Sequence, residues 1–277
     1  MVILMNNLIM RKCIYIVLGF LLIGCDEYLP GFDFDNFKGT KAYELAIAVE
    51  NENTKKIEEI IKGNKSLVDF LEPQYGHSLL MLSVANNLSE SVEKLLELGA
   101  NPNKRSEPVS GINSEVTTAI FIACNKVYRR NCRTDILELL VKYGGIIDDK
   151  IDVKYLNSSY ITKETPLMIA TKSDCIDLVR KIVELGADIN DYSYVNGKGP
   201  LSNCIIHDNL NILEYLVIQQ KAKIPNYIFV RQAYNNSPRQ ELTLIEFLNE
   251  QNYPKNSNNY KYKDLIIRYL NKNTHPR

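Results

Sequence analysis

The sequence has no net charge and few histidines. Lysine plus arginine number 33, as do aspartate plus glutamate, so no strong basic field exists to attract nucleic acid. Tryptophan is absent, and the three histidines are His77, His207 and His275. None of them has a partner at metal-ligand spacing, and the sequence therefore predicts no metal site.

Catalytic signatures are missing as well. The sequence contains no G-x-S-x-G, no phosphate-binding P-loop and no G-x-G-x-x-G, and its serines and carboxylates form no recognisable set. We therefore expect a non-catalytic protein with no cofactor and no small-molecule substrate. His77 is expected to precede a helix cap and face solvent, and His207 is expected near a helix end.

No apolar run reaches the length of about 20 residues that a membrane-spanning helix needs. The run from Cys13 to Ile23 is shorter and follows the basic pair Arg11-Lys12, as in the core of a signal peptide. Either Met1 or Met10 can be the start, and Met10 places the basic pair at the beginning of the signal.

The run ends in Leu22-Ile23-Gly24-Cys25, which resembles the lipobox of bacterial lipoproteins. The resemblance implies a signal peptide over residues 1–25, a lipid on Cys25, and a protein anchored in the bacterial cell envelope that faces the periplasm. It leaves open which membrane holds the anchor. Residues 26–38 would form a tether, whose aromatic residues either fold back onto the next segment, the interpretation we favour, or contact a neighbouring envelope protein.

The rest of the chain contains an internal repeat. A small polar residue, two helix-starting positions, an apolar stretch and a small residue recur from Ser78, Thr118 and Thr165, and more weakly from Gly199. Fainter copies start at Tyr43 and Thr243. Serine or threonine can cap a helix start, and proline fits its first turn.

A second string follows each clear copy. Apolar residues recur at helical spacing, and Gly99, Gly144 and Gly186 stand where each helix should stop. In the fifth unit Lys221 stands in that place. The two strings together resemble the ankyrin repeat.

The resemblance implies an all-α ankyrin-repeat solenoid of about six helix-turn-helix units over residues 39–272, with β-turn finger loops and a tail over 273–277. The signature histidine of the family is replaced by Met81, Phe121, Met168 and Ser202, so we expect apolar stacking in its place. The spacing between copies is irregular, and most of the extra residues fall in the finger loops.

Ankyrin proteins bind other proteins through these fingers and through the first helices of each unit. Tyrosine, arginine and neighbouring polar residues are the preferred anchors of such surfaces. The predicted partner-binding residues lie in the fingers and in a basic turn between the helices of the third unit: Lys104, Arg105, Tyr128, Arg129, Arg130, Tyr155, Tyr160, Tyr192, Tyr194, Asn196, Tyr227 and Arg231.

Four cysteines lie outside the signal region: Cys124, Cys132, Cys175 and Cys204. Export would allow a disulfide to persist. Alignment of the second helices places Cys132 one position from the equivalent of Cys175, so these two can bond if the loop permits it. Cys124 with Cys132 is the other option, and the sequence does not choose between them. Cys204 occupies a small core position and is expected to be a buried thiol.

The expected function is binding of another protein by a lipid-anchored module. One form is an immunity or inhibitor module that blocks a toxin or effector. The alternative is a scaffold that supports an envelope enzyme, as some periplasmic ankyrin proteins support catalase.

Overall fold

Each copy of the repeated string begins a short helix, and a second helix follows it. The computed structural model describes residues 31–109, 116–125, 132, 134–154, 161–192, 199–233 and 238–273. Within these residues the first helices are α1 (Tyr43–Glu50), α3 (Leu79–Ala85), α5 (Ala119–Cys124), α7 (Pro166–Ala170), α9 (Pro200–Ile206) and α11 (Leu244–Glu250).

The second helices complete six pairs. They are α2 (Thr54–Gly63), α4 (Ser89–Glu97), α6 (Asp135–Lys142), α8 (Ile176–Glu184), α10 (Leu210–Glu214) and α12 (Asn258–Asn273). The α10 helix continues as a π-helical turn, Tyr215–Gln219, and short 3-10 helices span Phe34–Phe37 and Lys65–Leu67.

The ends of the helices follow the signals in the sequence. The side chains of Ser78 and Thr165 accept hydrogen bonds from the backbone N–H three residues on, and Thr243 forms a reciprocal capping box with Glu246. After the second helices, Gly99, Gly144 and Gly186 take φ values of +95°, +92° and +97°. Lys221 takes φ +55° at the equivalent place, so the turn survives without glycine.

The core lies between successive pairs. Every residue of α3 and of α5 is buried. Met81, Phe121 and Met168 are at most 2% exposed, which confirms the apolar packing predicted where the family signature has histidine. Ser202 is also buried, and its hydroxyl accepts a hydrogen bond from the N–H of Gly199, the residue before α9.

The aromatic residues before α1 cover the first pair, as we expected of the tether. Phe32, Phe34 and Phe37 are buried, and the Asn86 side chain donates to the Phe32 carbonyl at 2.9 Å. The expectation that His77 faces solvent was wrong. Its ring stacks on Phe32 with 4.5 Å between centroids, and its burial, which lowers the pKa of the imidazole, follows from this contact.

Two short antiparallel hairpins lie between helix pairs. Strand β1 (Ile151–Lys154) pairs with β2 (Ile161–Glu164), and β3 (Phe229–Arg231) pairs with β4 (Gln240–Leu242). Ile151 packs against Phe121, which fastens the first hairpin to α5. Residues 31–277 form one compact unit with its own core.

A disulfide joins Cys132 to Cys175, and their Cα atoms are 5.9 Å apart. The bond links the segment before α6 to the N-cap of α8, which selects one of the two pairings left open by the sequence. Cys204 is a buried thiol as predicted, and burial raises its pKa. Among the residues described, no helix is both long and apolar enough to cross a bilayer.

Candidate functional site

Five loops connect one helix pair to the next, and we call them fingers 1 to 5: residues 64–78, 98–118, 143–165, 185–199 and 220–243. Fingers 1 and 2 are joined by backbone hydrogen bonds. The N–H of Glu107 donates to the Gly76 carbonyl at 3.1 Å, and the N–H of Val109 donates to the Gln74 carbonyl at 3.2 Å.

Gly76 is required for this pairing. It takes φ +67°, and a Cβ added there would lie 2.2 Å from backbone atoms of Glu107. Any side chain would therefore push the two fingers apart, because a contact that short to backbone is not relieved by a rotamer change.

An asparagine or aspartate side chain also links each finger to the next. Asp69 accepts from the N–H of Asn101 at 2.9 Å, and Asp148 accepts from the N–H of Asp188 at 2.9 Å. Asn190 accepts from the N–H of Lys223 at 2.7 Å.

Between fingers 2 and 3 the linking residue is Asn103. Its side chain donates to the Gly144 carbonyl and accepts from the Ile146 N–H, both at 2.9 Å. The five fingers therefore form one hydrogen-bonded row, and a partner that binds across them meets a surface that is already ordered.

Lys104 and Arg105 lie in finger 2 and are engaged within the chain. The Arg105 guanidinium donates to both carboxylate oxygens of Asp149, at 2.7 and 2.9 Å, and to the Lys150 carbonyl at 3.1 Å. Lys104 pairs with Glu107 at 3.3 Å. Arg105 remains 44% exposed at its side chain, so a partner can still reach it.

Tyr192 holds finger 4 to finger 5. Its hydroxyl donates to the Lys223 carbonyl at 2.6 Å, and its ring lies where a Cβ at Gly199 would come within 2.2 Å. Burial, with a smaller contribution from the nearby Asp188 carboxylate, raises the pKa of Tyr192 to about 12. Tyr192 is half-buried, so it orders the finger surface and also leaves part of its side chain within reach of a partner.

The two predicted residues of finger 5 differ in their exposure. Tyr227 is half-buried, whereas Arg231 on β3 is exposed and pairs with Glu250 at 2.7 Å. Arg231 also donates to Gln240 at 3.0 Å across the hairpin, so it joins the two strands, while its pair with Glu250 fixes the hairpin to α11.

Several predicted site residues lie outside the described part of the chain, and their prediction stays untested. They are Cys25, Tyr128, Arg129, Arg130, Tyr155, Tyr160, Tyr194 and Asn196.

Exposed aliphatic side chains on the fingers were missed by the sequence analysis. Val109 and Val116 of finger 2 are 48% and 37% exposed, Ile146 of finger 3 is 54% exposed, and Ile224 of finger 5 is 38% exposed. Ile228, also in finger 5, is buried, so only the folded structure separates these four from aliphatic loop residues that enter the core. Within the described ranges, no three metal-ligating side chains gather.

Comparison with known proteins agrees with this architecture. A family model of ankyrin repeats in three copies matches residues 120–227, and a model of the single ankyrin repeat matches residues 75–107. The chain is 28% identical over 174 residues to a fowlpox virus (strain NVSL) protein named as an ankyrin repeat protein, FPV014. That match covers 63% of this chain and 35% of the viral protein, so the chain spans about a third of its relative's length.

The matched ranges contain the helix pairs and the fingers described above. The chain therefore carries ankyrin repeats, arranged as an all-α solenoid, and such repeats indicate a protein–protein interaction module.

Proposed function

We propose that this chain is a lipid-anchored, non-catalytic module of the bacterial cell envelope that binds a dedicated protein partner through its fingers. The observation that supports the binding site most is the continuous row of bonds between successive fingers. Since these bonds exist without a partner, the fingers need little further ordering when a partner binds.

The contact surface we propose is centred on fingers 2 and 3. Val109 and Ile146 are exposed on these adjacent fingers, which the Arg105–Asp149 ion pair joins. Aliphatic side chains surrounded by polar and charged groups are typical of the centre and rim of a protein interface.

The anchor and the compartment rest on two features. The sequence Leu22-Ile23-Gly24-Cys25 resembles a lipobox, and the Cys132–Cys175 disulfide suits an oxidising compartment such as the periplasm. Lipid on Cys25 would hold the module at the membrane, and two or more acyl chains make such anchoring stable.

We favour an immunity or inhibitor role, in which the module blocks a toxin or effector. The fingers differ in length, and two of them carry hairpins, so each part of the row has its own shape. Such an individual surface suits one partner rather than a class of partners. A scaffold for an envelope enzyme is the alternative that the experiments must separate.

The anchor is tested by mass spectrometry of the amino-terminal peptide from the full chain expressed in a bacterium. We expect an acylated peptide that begins at Cys25, and the Cys25→Ser variant should lose both the acyl mass and partition into detergent. An unmodified Cys25 in the wild type would contradict the proposal.

The binding surface is tested by capture of partners with the full chain and with Val109→Asp combined with Ile146→Asp. We expect the captured partner to be lost, because two charges would be placed in an apolar contact. Leu265→Asp is the matched control, since Leu265 is 48% exposed on α12, away from the fingers. If the finger variant captures the partner as well as the control does, the binding site does not include Val109 and Ile146.

A deletion strain separates the two roles. Sensitivity to a toxin or effector supports the immunity role. Loss of an envelope enzyme's activity without any such sensitivity contradicts it and selects the scaffold role.

A further inference from the structure

A groove lies on the second helices, outside the row of bonds that joins the fingers. It has a volume of about 850 Å³ and is lined by residues of α4, α6 and α8 and by Leu185, which follows α8. The lining residues used below are Glu90, Glu93, Glu138, Leu139 and Glu184. We call it the outer groove. Its volume is within the range of sites that hold a ligand or an inserted segment, about 300–1,000 Å³.

The outer groove is acidic. Five acidic side chains line it against two lysines, Lys142 and Lys181. Lys181 is held between Glu138 at 2.8 Å and Glu184 at 3.0 Å, so its charge is already compensated.

Two acids of the groove lie outside its ion pairs. Glu90 and Glu93, on successive turns of α4, are exposed, and neither forms an ion pair with any residue that the structure describes. The excess negative charge is therefore directed at solvent, where it would attract a cationic partner and repel an anionic one.

The groove also has apolar side chains along α6. The buried side of α6 supplies Ile136, Leu137 and Leu140 to the core. Leu139 and Val141 lie on the two flanks of this buried side, and both line the groove half-buried. The apolar stripe of α6 is therefore wider than its buried part, and its edges are available for a contact in the groove.

The dimensions suit a helix. Neighbouring packed helices lie about 8–10 Å apart between their axes, so α4, α6 and α8 together present a face roughly 20 Å across, on which a helix about 10–12 Å wide can lie. The eight residues of α6 give a floor about 12 Å long, or two helical turns. The Cys132–Cys175 disulfide lies at the amino-terminal ends of α6 and α8 and holds this side of the groove at a fixed spacing.

We propose that the outer groove binds a basic amphipathic helix of a partner protein, with the apolar face of that helix on Leu139 and its lysine or arginine residues beside Glu90 and Glu93. This inference rests on the proposed role in protein binding. It adds the chemistry of a second contact, which lies on the second helices rather than on the fingers. The groove and the fingers can then hold two segments of one partner, which raises the overall affinity through effective concentration.

The probe is a fluorescein-labelled peptide of about 14 residues with leucine on one helical face and lysine on the other, long enough to cover the floor. Its binding to residues 26–277 is measured by fluorescence anisotropy, because this part contains the whole compact unit. We expect saturable one-to-one binding that weakens with salt. Glu90→Lys combined with Glu93→Lys should weaken it about tenfold, since two attractions become repulsions.

The matched control is Glu59→Lys combined with Asp264→Lys, which makes the same change of charge on the exposed sides of α2 and α12. It should alter the affinity less than about twofold. Circular dichroism checks that each variant folds, and Glu90→Gln combined with Glu93→Gln gives a milder test with an expected loss of about threefold.

Equal weakening by the groove variant and the control would overturn the proposal, as would equal binding of a lysine peptide whose leucines are replaced by serine. No binding by the wild type would also overturn it. None of these results tests the finger surface, because capture of a partner that depends on Val109 and Ile146 is measured separately. Loss of that capture with retained peptide binding would count against the finger site alone.

Discussion

At the scale of single residues, the polar side chains of the fingers are used to build the surface before they can be used to recognise anything. Asn103 satisfies a carbonyl and an N–H of the next finger at once, and Arg105 reaches three oxygens of finger 3. Each exposed ion pair contributes at most about 1 kcal/mol. The order of the finger surface therefore depends on the number of contacts between fingers.

Tyr192→Phe is the test of this view at one residue. Loss of the hydrogen bond to the Lys223 carbonyl should lower the free energy of unfolding by about 1 kcal/mol, measured by urea denaturation near neutral pH. The pKa of the phenol is raised from its ordinary value of 10.0 to about 12, so its contribution is complete below pH 10 and falls as the pH rises towards 12.

Spectrophotometric titration provides the second measurement on the same variant. The wild type minus Tyr192→Phe should show one phenol that titrates near pH 12. A difference that titrates near 10 would mean that Tyr192 is solvated and does not hold finger 4 to finger 5.

At the scale of elements, the helix pairs depend on local sequence, whereas the contacts between fingers depend on how the repeats stack. The helices were predictable because caps, apolar spacing and terminal glycines are local signals, and all six predicted pairs are found. The pairing of fingers 1 and 2 was not predictable, because Gly76 and Glu107 are distant in sequence and their contact depends on how successive repeats stack.

Gly76→Ala tests the finger pairing. The methyl group would meet the backbone of Glu107 in a backbone conformation that alanine adopts with difficulty, so we expect a loss of about 2 kcal/mol or more in the free energy of unfolding. Hydrogen exchange should show faster exchange at the N–H groups of Glu107 and Val109.

Gly63→Ala is the control for that substitution. Gly63 ends α2 at an ordinary backbone conformation, and a Cβ there meets nothing within 4 Å. It should leave stability unchanged or raise it slightly, by a few tenths of a kcal/mol. Equal effects of the two substitutions would show that fingers 1 and 2 are not tightly paired.

At the scale of the whole molecule, stability comes from stacking of units that cannot bury their apolar faces alone. The aromatic residues Phe32, Phe34 and Phe37 cover the first unit, and α12 covers the last with Ile266 and Leu270 turned inward. The Cys132–Cys175 bond adds a covalent link between the third and fourth units.

Removal of this link should be measurable. The bond closes a sequence separation of 43 residues, for which loop-closure entropy predicts a stabilisation of about 4 kcal/mol as an upper value. Cys132→Ser combined with Cys175→Ser should lower the unfolding temperature, and dithiothreitol should lower that of the wild type to a similar value. Insensitivity of the wild type to dithiothreitol would contradict a stabilising disulfide, and the double variant is the control for other effects of the reductant.

The sequence by itself determined the number of helix pairs, their order and the all-α class, because each of these depends on signals within a few neighbouring residues. It also indicated which cysteines are near enough to bond, without choosing the pair. The tertiary structure decided that His77 is buried, that Arg105 and Tyr192 join one finger to the next, and that Val109 and Ile146 stay exposed. These outcomes depend on which residues of different repeats come together, and the geometry of stacking sets that rather than any local preference of the chain.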